Sequence, residues 1–235
     1  MKTINKIILF YLVLFMSPAL FAEQTDKQCF SGYLDSKARF INESKFDEFD
    51  FSGIIADTRT KFLGYIGADY HRLHINFSSV KKASNTKYIV SGEYKITAEA
   101  RPFNGEIQIT KIKKYINLNY GVDDFIKGKI NAQGIALASY ILKGDGGFQA
   151  KGQMLIKWYI NSDQRLTYDN ISEDEDMHAN DLFCGECNVG KAQIKPCAWG
   201  HYRIPNSGDL DIGAGEFSPS PKYLNNGWSD FNKDE

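Results

Sequence analysis

From Phe148 to Ile160 the chain alternates almost without interruption. Phe148, Ala150, Met154, Ile156, Trp158 and Ile160 fall on even positions, with Gln149, Lys151, Gln153 and Lys157 between them. A period of two puts every apolar side chain on one face of a pleated strand, and it excludes a helix, whose apolar stripe follows a period of about 3.6. At roughly 3.3 Å per residue this strand exceeds most, so a bend is expected, with Gly152 the natural place.

The same pattern recurs upstream. Leu73, Ile75 and Phe77 alternate with His74, Asn76 and Ser78, and Tyr88, Val90, Tyr94 and Ile96 with Ser91, Glu93, Lys95 and Thr97. Ile135 to Leu142 is apolar at almost every position, which fits a strand covered on both faces. Gly144-Asp145-Gly146-Gly147 supplies residues that accept positive φ and predicts a hairpin; Asn104-Gly105 predicts another. The apolar parity then shifts from Ile107 and Ile109 to Ile112 and Ile116, so a bulge near Thr110-Lys111 or a new element is expected. After a turn at residues 161–164, Leu166-Thr167-Tyr168 reads as a short strand. The one helical candidate is a short stretch from Asn42 to Phe49. Aromatic residues make up 14 % of the chain, which suits pleated surfaces. The expected fold class is mainly β: an antiparallel meander over residues 62–171, forming a sandwich or an open up-and-down barrel.

The first residues carry an address. Lys2 and Lys6 precede an unbroken apolar run from Ile7 to Met16, and Ser17-Pro18-Ala19-Leu20-Phe21-Ala22 ends in small residues. That order predicts a secretory leader over residues 1–22, cleaved after Ala22. The run is far shorter than the roughly 20 apolar residues a membrane span needs. No second long apolar segment follows, so no membrane span is expected in the mature chain. Losing the leader removes two lysines and no acids, leaving 26 basic and 29 acidic residues and a net charge of −3. Such a balance offers no footprint for nucleic acid. A periplasmic or extracellular location is expected.

In that compartment Cys29, Cys184, Cys187 and Cys197 read as two disulfides, with three possible pairings. A link from Cys29 to the C-terminal region would close a loop worth roughly 4–5 kcal/mol. Cys184-Gly185-Glu186-Cys187 also has the spacing of a thiol–disulfide exchange motif, and Cys184, Cys187, Cys197 and His201 could hold zinc. An oxidising compartment favours the bridges, so no cofactor is expected.

After the acidic run Glu173-Asp174-Glu175-Asp176 the alternation stops. Residues 177–235 hold Pro196, Pro205, Pro219 and Pro221 but also Trp199, Phe217, Tyr223, Trp228 and Phe231. So much apolar surface predicts an ordered, loop-rich, disulfide-tied extension laid on the sheet of a single domain spanning residues 23–235. Within it, Asp209-Leu210-Asp211-Ile212-Gly213-Ala214-Gly215-Glu216 resembles a loop that wraps a hard cation. No serine elbow, zinc-protease helix or phosphate loop occurs. The expectation is a non-catalytic binding or structural module of the cell envelope, its ligand and partners unnamed by the sequence. Two alternatives stand beside it: a hydrolase using Asp209, Asp211, Glu216 and His201, and a carrier of an apolar ligand in a barrel lumen.

Overall fold

A computed structural model describes residues 29–34, 38–97 and 99–231; the leader lies outside them. The chain is mainly β. Eleven strands join one sheet: β1 (Phe40–Glu43), β2 (Phe62–Ile66), β3 (His71–Arg72), β4 (His74–Lys82), β5 (Lys87–Lys95), β6 (Arg101–Tyr115), β7 (Ile130–Gly144), β8 (Phe148–Asn161), β9 (Leu166–Tyr168), β10 (Asn180–Asn188) and β11 (Lys195–His201). The order is β3-β2-β11-β10-β8-β7-β6-β5-β4, with β1 added to β6 and β9 to β8. Every pairing is antiparallel. From β4 to β8 each strand pairs with the next, the meander that the alternation predicts.

The ends of that order are β3 and β4, yet Leu73 alone separates them in the chain. The sheet therefore cannot lie flat and curls into a half-open barrel. Its concave face collects the even residues of β8 and β7 (Met154, Ile156 and Trp158 with Ala138, Tyr140 and Leu142) against Phe183 of β10 and Trp199 of β11. Phe49 and Phe51, beside a single helical turn α1 (Ser52–Ile55), close the core. The convex face is covered in two places. Cys29 and Phe30 lie on Ile135, Leu137, Leu155 and Leu182, and the C-terminal loops lay Phe217, Tyr223, Trp228 and Phe231 on Tyr65 and Ala198. Hence β7 is buried on both sides, as its continuous apolar run predicts.

Other details match. Gly146 and Gly147 turn the β7–β8 hairpin with φ of 70° and 76°. The register of β6 on β7 slips between Ile109 and Lys111, and the displaced Thr110 hydroxyl donates to the Leu137 carbonyl at 3.0 Å. Three expectations are corrected. Asn104-Gly105 is no hairpin but lies inside β6, where a Cβ on Gly105 would strike the Ile141 carbonyl oxygen of β7. The Asn42–Phe49 stretch forms β1 and a 3-10 turn (Phe46–Glu48), too rich in strand-forming aromatics and too short to propagate a helix. Both ladders of β8 run in register through Gly152, so no bulge interrupts the strand there. The region after residue 177 is not loops throughout: β10 and β11 occupy the middle of the sheet. Their side chains are buried on both faces, which erases the alternation that marks a half-exposed strand.

Gly152 instead meets Gly185 across the β8–β10 ladder, and a Cβ on either would sit 2.7 Å from the other's Cα. We expect Gly152→Ala to cost about 2–3 kcal/mol by overpacking two backbones. Gly53→Ala, exposed in α1 with open space around it, should be neutral or stabilise by up to roughly 1 kcal/mol. Urea midpoints of the two variants check this.

Candidate functional site

The acidic glycine loop does wrap a cation, but the cation belongs to the chain. Arg203 follows β11 and is almost wholly buried. Its guanidinium donates to Asp211 Oδ2 at 2.6 Å, to the Gly213 and Ala214 carbonyls at 3.1 Å each, and to the Gly215 carbonyl. Asp211 Oδ1 accepts from the backbone N–H groups of Gly213 and Ser218 at 3.0 and 3.1 Å. The turn is thus a cage of oxygens filled by a planar fork of donors.

The other candidates lie apart from it. Asp209 is at the surface, where Lys222 and the Tyr223 hydroxyl donate to it at 2.8 and 2.7 Å and hold its pKa below the usual carboxylate value. Glu216 is exposed on the rim of a cleft. His201 is fully buried: its ring lies 4.1 Å from that of Phe62, and Nδ1 is 3.1 Å from the Tyr168 hydroxyl. The carboxylate beside it is Asp181, at 4.0 Å. His201 makes no bond to Asp209 or Asp211, so the four residues do not converge as the hydrolase reading requires.

The cysteines are also dispersed. Cys184 and Cys187 are three residues apart on one strand and so point to opposite faces. Cys184 bonds Cys29 on the convex side, closing a loop of sequence separation 155, and Cys187 bonds Cys197 of β11 on the concave side. A bridge within the Cys-x-x-Cys motif and a shared zinc site are both incompatible with this placement. Among the described residues no group of three or more His, Cys, Asp or Glu stands where it could hold a metal. The lumen an apolar cargo would need is occupied by side chains, because the even positions of β8 are core residues.

Sequence reading missed Asp181 and Tyr168, whose only signal is a polar residue inside an apolar strand and a tyrosine ending a short one. Asp181 is fully buried at the bulge where the β10–β11 register slips, and neither of its oxygens finds a hydrogen-bond partner among the described residues. Burial, aided by the charge of Asp57, raises its pKa well above the ordinary value; burial lowers that of His201 to about 3. The pair is therefore a neutral polar inclusion in the core, walled off by Phe62.

What the surface does offer is a cleft of about 1360 Å³. One wall is the segment from Asp57 to Leu63, another the first half of β4 with the end of β5, and a third the turn Glu173–Asp176 together with Gly215–Phe217. Arg59 on the first wall is paired with Asp57, which holds the Asp57 pKa below its usual value. Glu93, Asp174, Asp176 and Glu216 make no ion pair among the described residues, and Tyr202 donates to Glu173 at 3.3 Å. Comparison with family models, with curated proteins and with solved structures finds no match to this chain.

Two measurements follow. Asp211→Ala leaves the Arg203 charge buried against carbonyls alone and should cost about 3 kcal/mol, read as a lower denaturation midpoint. For Asp181, the folded state favours the protonated form, whereas the unfolded carboxyl ionises near pH 3.9. Its contribution is intact below that pH and is lost as pH rises. Asp181→Asn should therefore match the parent at about pH 3.5 and exceed it by about 1–3 kcal/mol at about pH 8. Protonation of His201, which opposes folding as pH falls from about 6.5, acts on both proteins and cancels in the comparison.

Proposed function

We propose that this protein is an exported, disulfide-bonded binding module that takes its ligand in the cleft at the open side of the curled sheet. The observation that carries the reading is the division of the molecule. A core packed with Trp158, Trp199, Phe183 and Tyr140 makes the scaffold rigid, and a cleft lined by charged side chains from six separate segments opens beside it. Binding sites favour loops and edges held on rigid scaffolds, and concavities of this size receive most of a small ligand or a short chain segment. The non-catalytic part of the reading is supported by the dispersal of the titratable candidates: His201 is sealed in the core, Arg203 and Asp211 neutralise each other, and Asp209 is saturated by Lys222 and Tyr223. Export is supported by the leader sequence and by two disulfides that use every cysteine of the chain.

Material secreted to a bacterial periplasm with its native leader should begin at Glu23 and weigh about 4 Da less than its reduced form. A chain retaining Met1, or one carrying free thiols, would sink the export reading. Screening small polar and charged compounds by amide chemical shifts should perturb Thr60, Lys61, Asn76 and Glu216 while leaving the core positions Tyr140 and Trp158 in place.

A further inference from the structure

The sheet forks along β8. β10 pairs with that strand as far as Leu155 and β9 takes over from Trp158, so Ile156 and Lys157 lie where the partner changes. Five of the seven buried polar or charged residues among those described gather around this fork: Gln133, Asp169, Asn180, Asp181 and His201. The Asn180 side chain bridges the gap. It accepts from the Lys157 N–H at 2.6 Å and donates to the carbonyls of Lys157 and Asp169 at 2.9 and 3.2 Å. The Asp169 N–H donates to the same Lys157 carbonyl at 3.2 Å. The backbone of Lys157 is thus held from both arms of the fork, and from β7 through its pairing with Ile135.

A lysine is an odd residue to place there. Lys157 shares a face of β8 with Leu155 and stands across from Ile135, both core residues of the convex side, and it is half-buried. Asp169 does not serve as its counter-ion. The Asp169 carboxylate accepts instead from Gln133 Nε2 at 2.8 Å and from the Ile171 N–H at 3.1 Å. Among the described residues the Lys157 side chain makes no hydrogen bond and no ion pair, whereas the exposed Lys151, six residues earlier on the same face, pairs with Glu186.

The titratable groups around Lys157 are Asp169 and His178. Burial lowers the pKa of the amine against the pull of Asp169, and it raises that of Asp169 itself. Burial, with the charge of Lys157, lowers that of His178 to about 4. All three are pushed towards their neutral forms. Desolvated lysines without a counter-ion are the amines that proteins use as nucleophiles towards carbonyl groups.

We propose that Lys157 is a reactive amine that holds a small aldehyde or ketone as an imine. The nitrogen lone pair attacks the carbonyl carbon, the two amine hydrogens leave with the carbonyl oxygen as one water, and a carbon–nitrogen double bond remains. This site does not depend on the cleft, and either reading can fail without the other.

The probe is acetaldehyde with cyanoborohydride, which reduces an imine to a stable N-ethyl amine. It is added to the full mature protein at pH 7 in brief pulses, and each lysine is followed by peptide mass mapping. Lysines of ordinary pKa, roughly 10.4, are almost wholly protonated at that pH, so we expect Lys157 to react about tenfold or more faster than Lys143 and Lys151 in the same sample. Its rate should also level off at a lower pH than theirs. A purely structural lysine predicts the reverse order, because burial alone only hinders the reagent. Lys157→Met should lose the fast site and leave the other rates unchanged; should that variant not fold, the comparison within the parent protein still decides. A Lys157 that stays unmodified, that reacts no faster than Lys151, or whose pH dependence matches that of the exposed lysines would overturn the proposal.

Discussion

A single residue governs the shape of this protein. Because β3 and β4 stand at opposite ends of the strand order and only Leu73 lies between them, the two ends of an eleven-stranded sheet must come together at that point. Right-handed twist supplies the curvature, and Leu73 fixes how far it goes. Everything else conforms to it: the concave face must be filled, so aromatic side chains stack inward from all sides, with Phe183 at 4.9 Å from Trp199 and 5.3 Å from Tyr140. Beyond the hydrogen bond that the Leu73 N–H donates to the Gly64 carbonyl at the joint, β2 and β4 do not pair, and Phe62, Ile75 and Phe77 line the cleft there.

One covalent link and one ion pair secure the outer layer. Cys29–Cys184 fastens the N-terminal segment to a central strand, and loop-closure entropy for a separation of this length is worth about 5 kcal/mol. Arg203 performs the same office for the C-terminal loops without a covalent bond, since three carbonyls and a carboxylate converge on it. Above that turn, Trp228 donates to the Tyr70 carbonyl at 2.7 Å and Arg72 lies 5.2 Å over its ring, so the aromatic tail is anchored to the β2–β3 corner.

The legibility of the sequence tracks how each strand meets water. β4, β5 and β8 alternate visibly, so their presence could be read directly, and the parity shift marked the region of Thr110 as either a bulge or a new element. β10 and β11 are covered on both faces, and glycines and cysteines interrupt their apolar runs, so nothing periodic remains to be seen. Asn104-Gly105 misleads for a related reason: a glycine that lets β6 and β7 approach is written with the same letters as one that turns a hairpin. The Asp209–Glu216 loop was legible as chemistry and not as identity. Its oxygen-rich, glycine-spaced pattern does describe a cation cage, but the occupant lies six residues upstream of the loop's first acid, a distance no local motif specifies.

The buried Asp181 sharpens the contrast between scaffold and cleft. A carboxyl with no partner, next to a histidine that burial keeps neutral, is a liability that a reactive centre would aim at a substrate. Here Phe62 shuts the pair off, its ring packed on His201, Phe77 and Phe183. Phe62 is also the first residue of β2, paired in register with His201. The same side chain therefore packs on the polar inclusion from within, through His201, and lines the cleft from without.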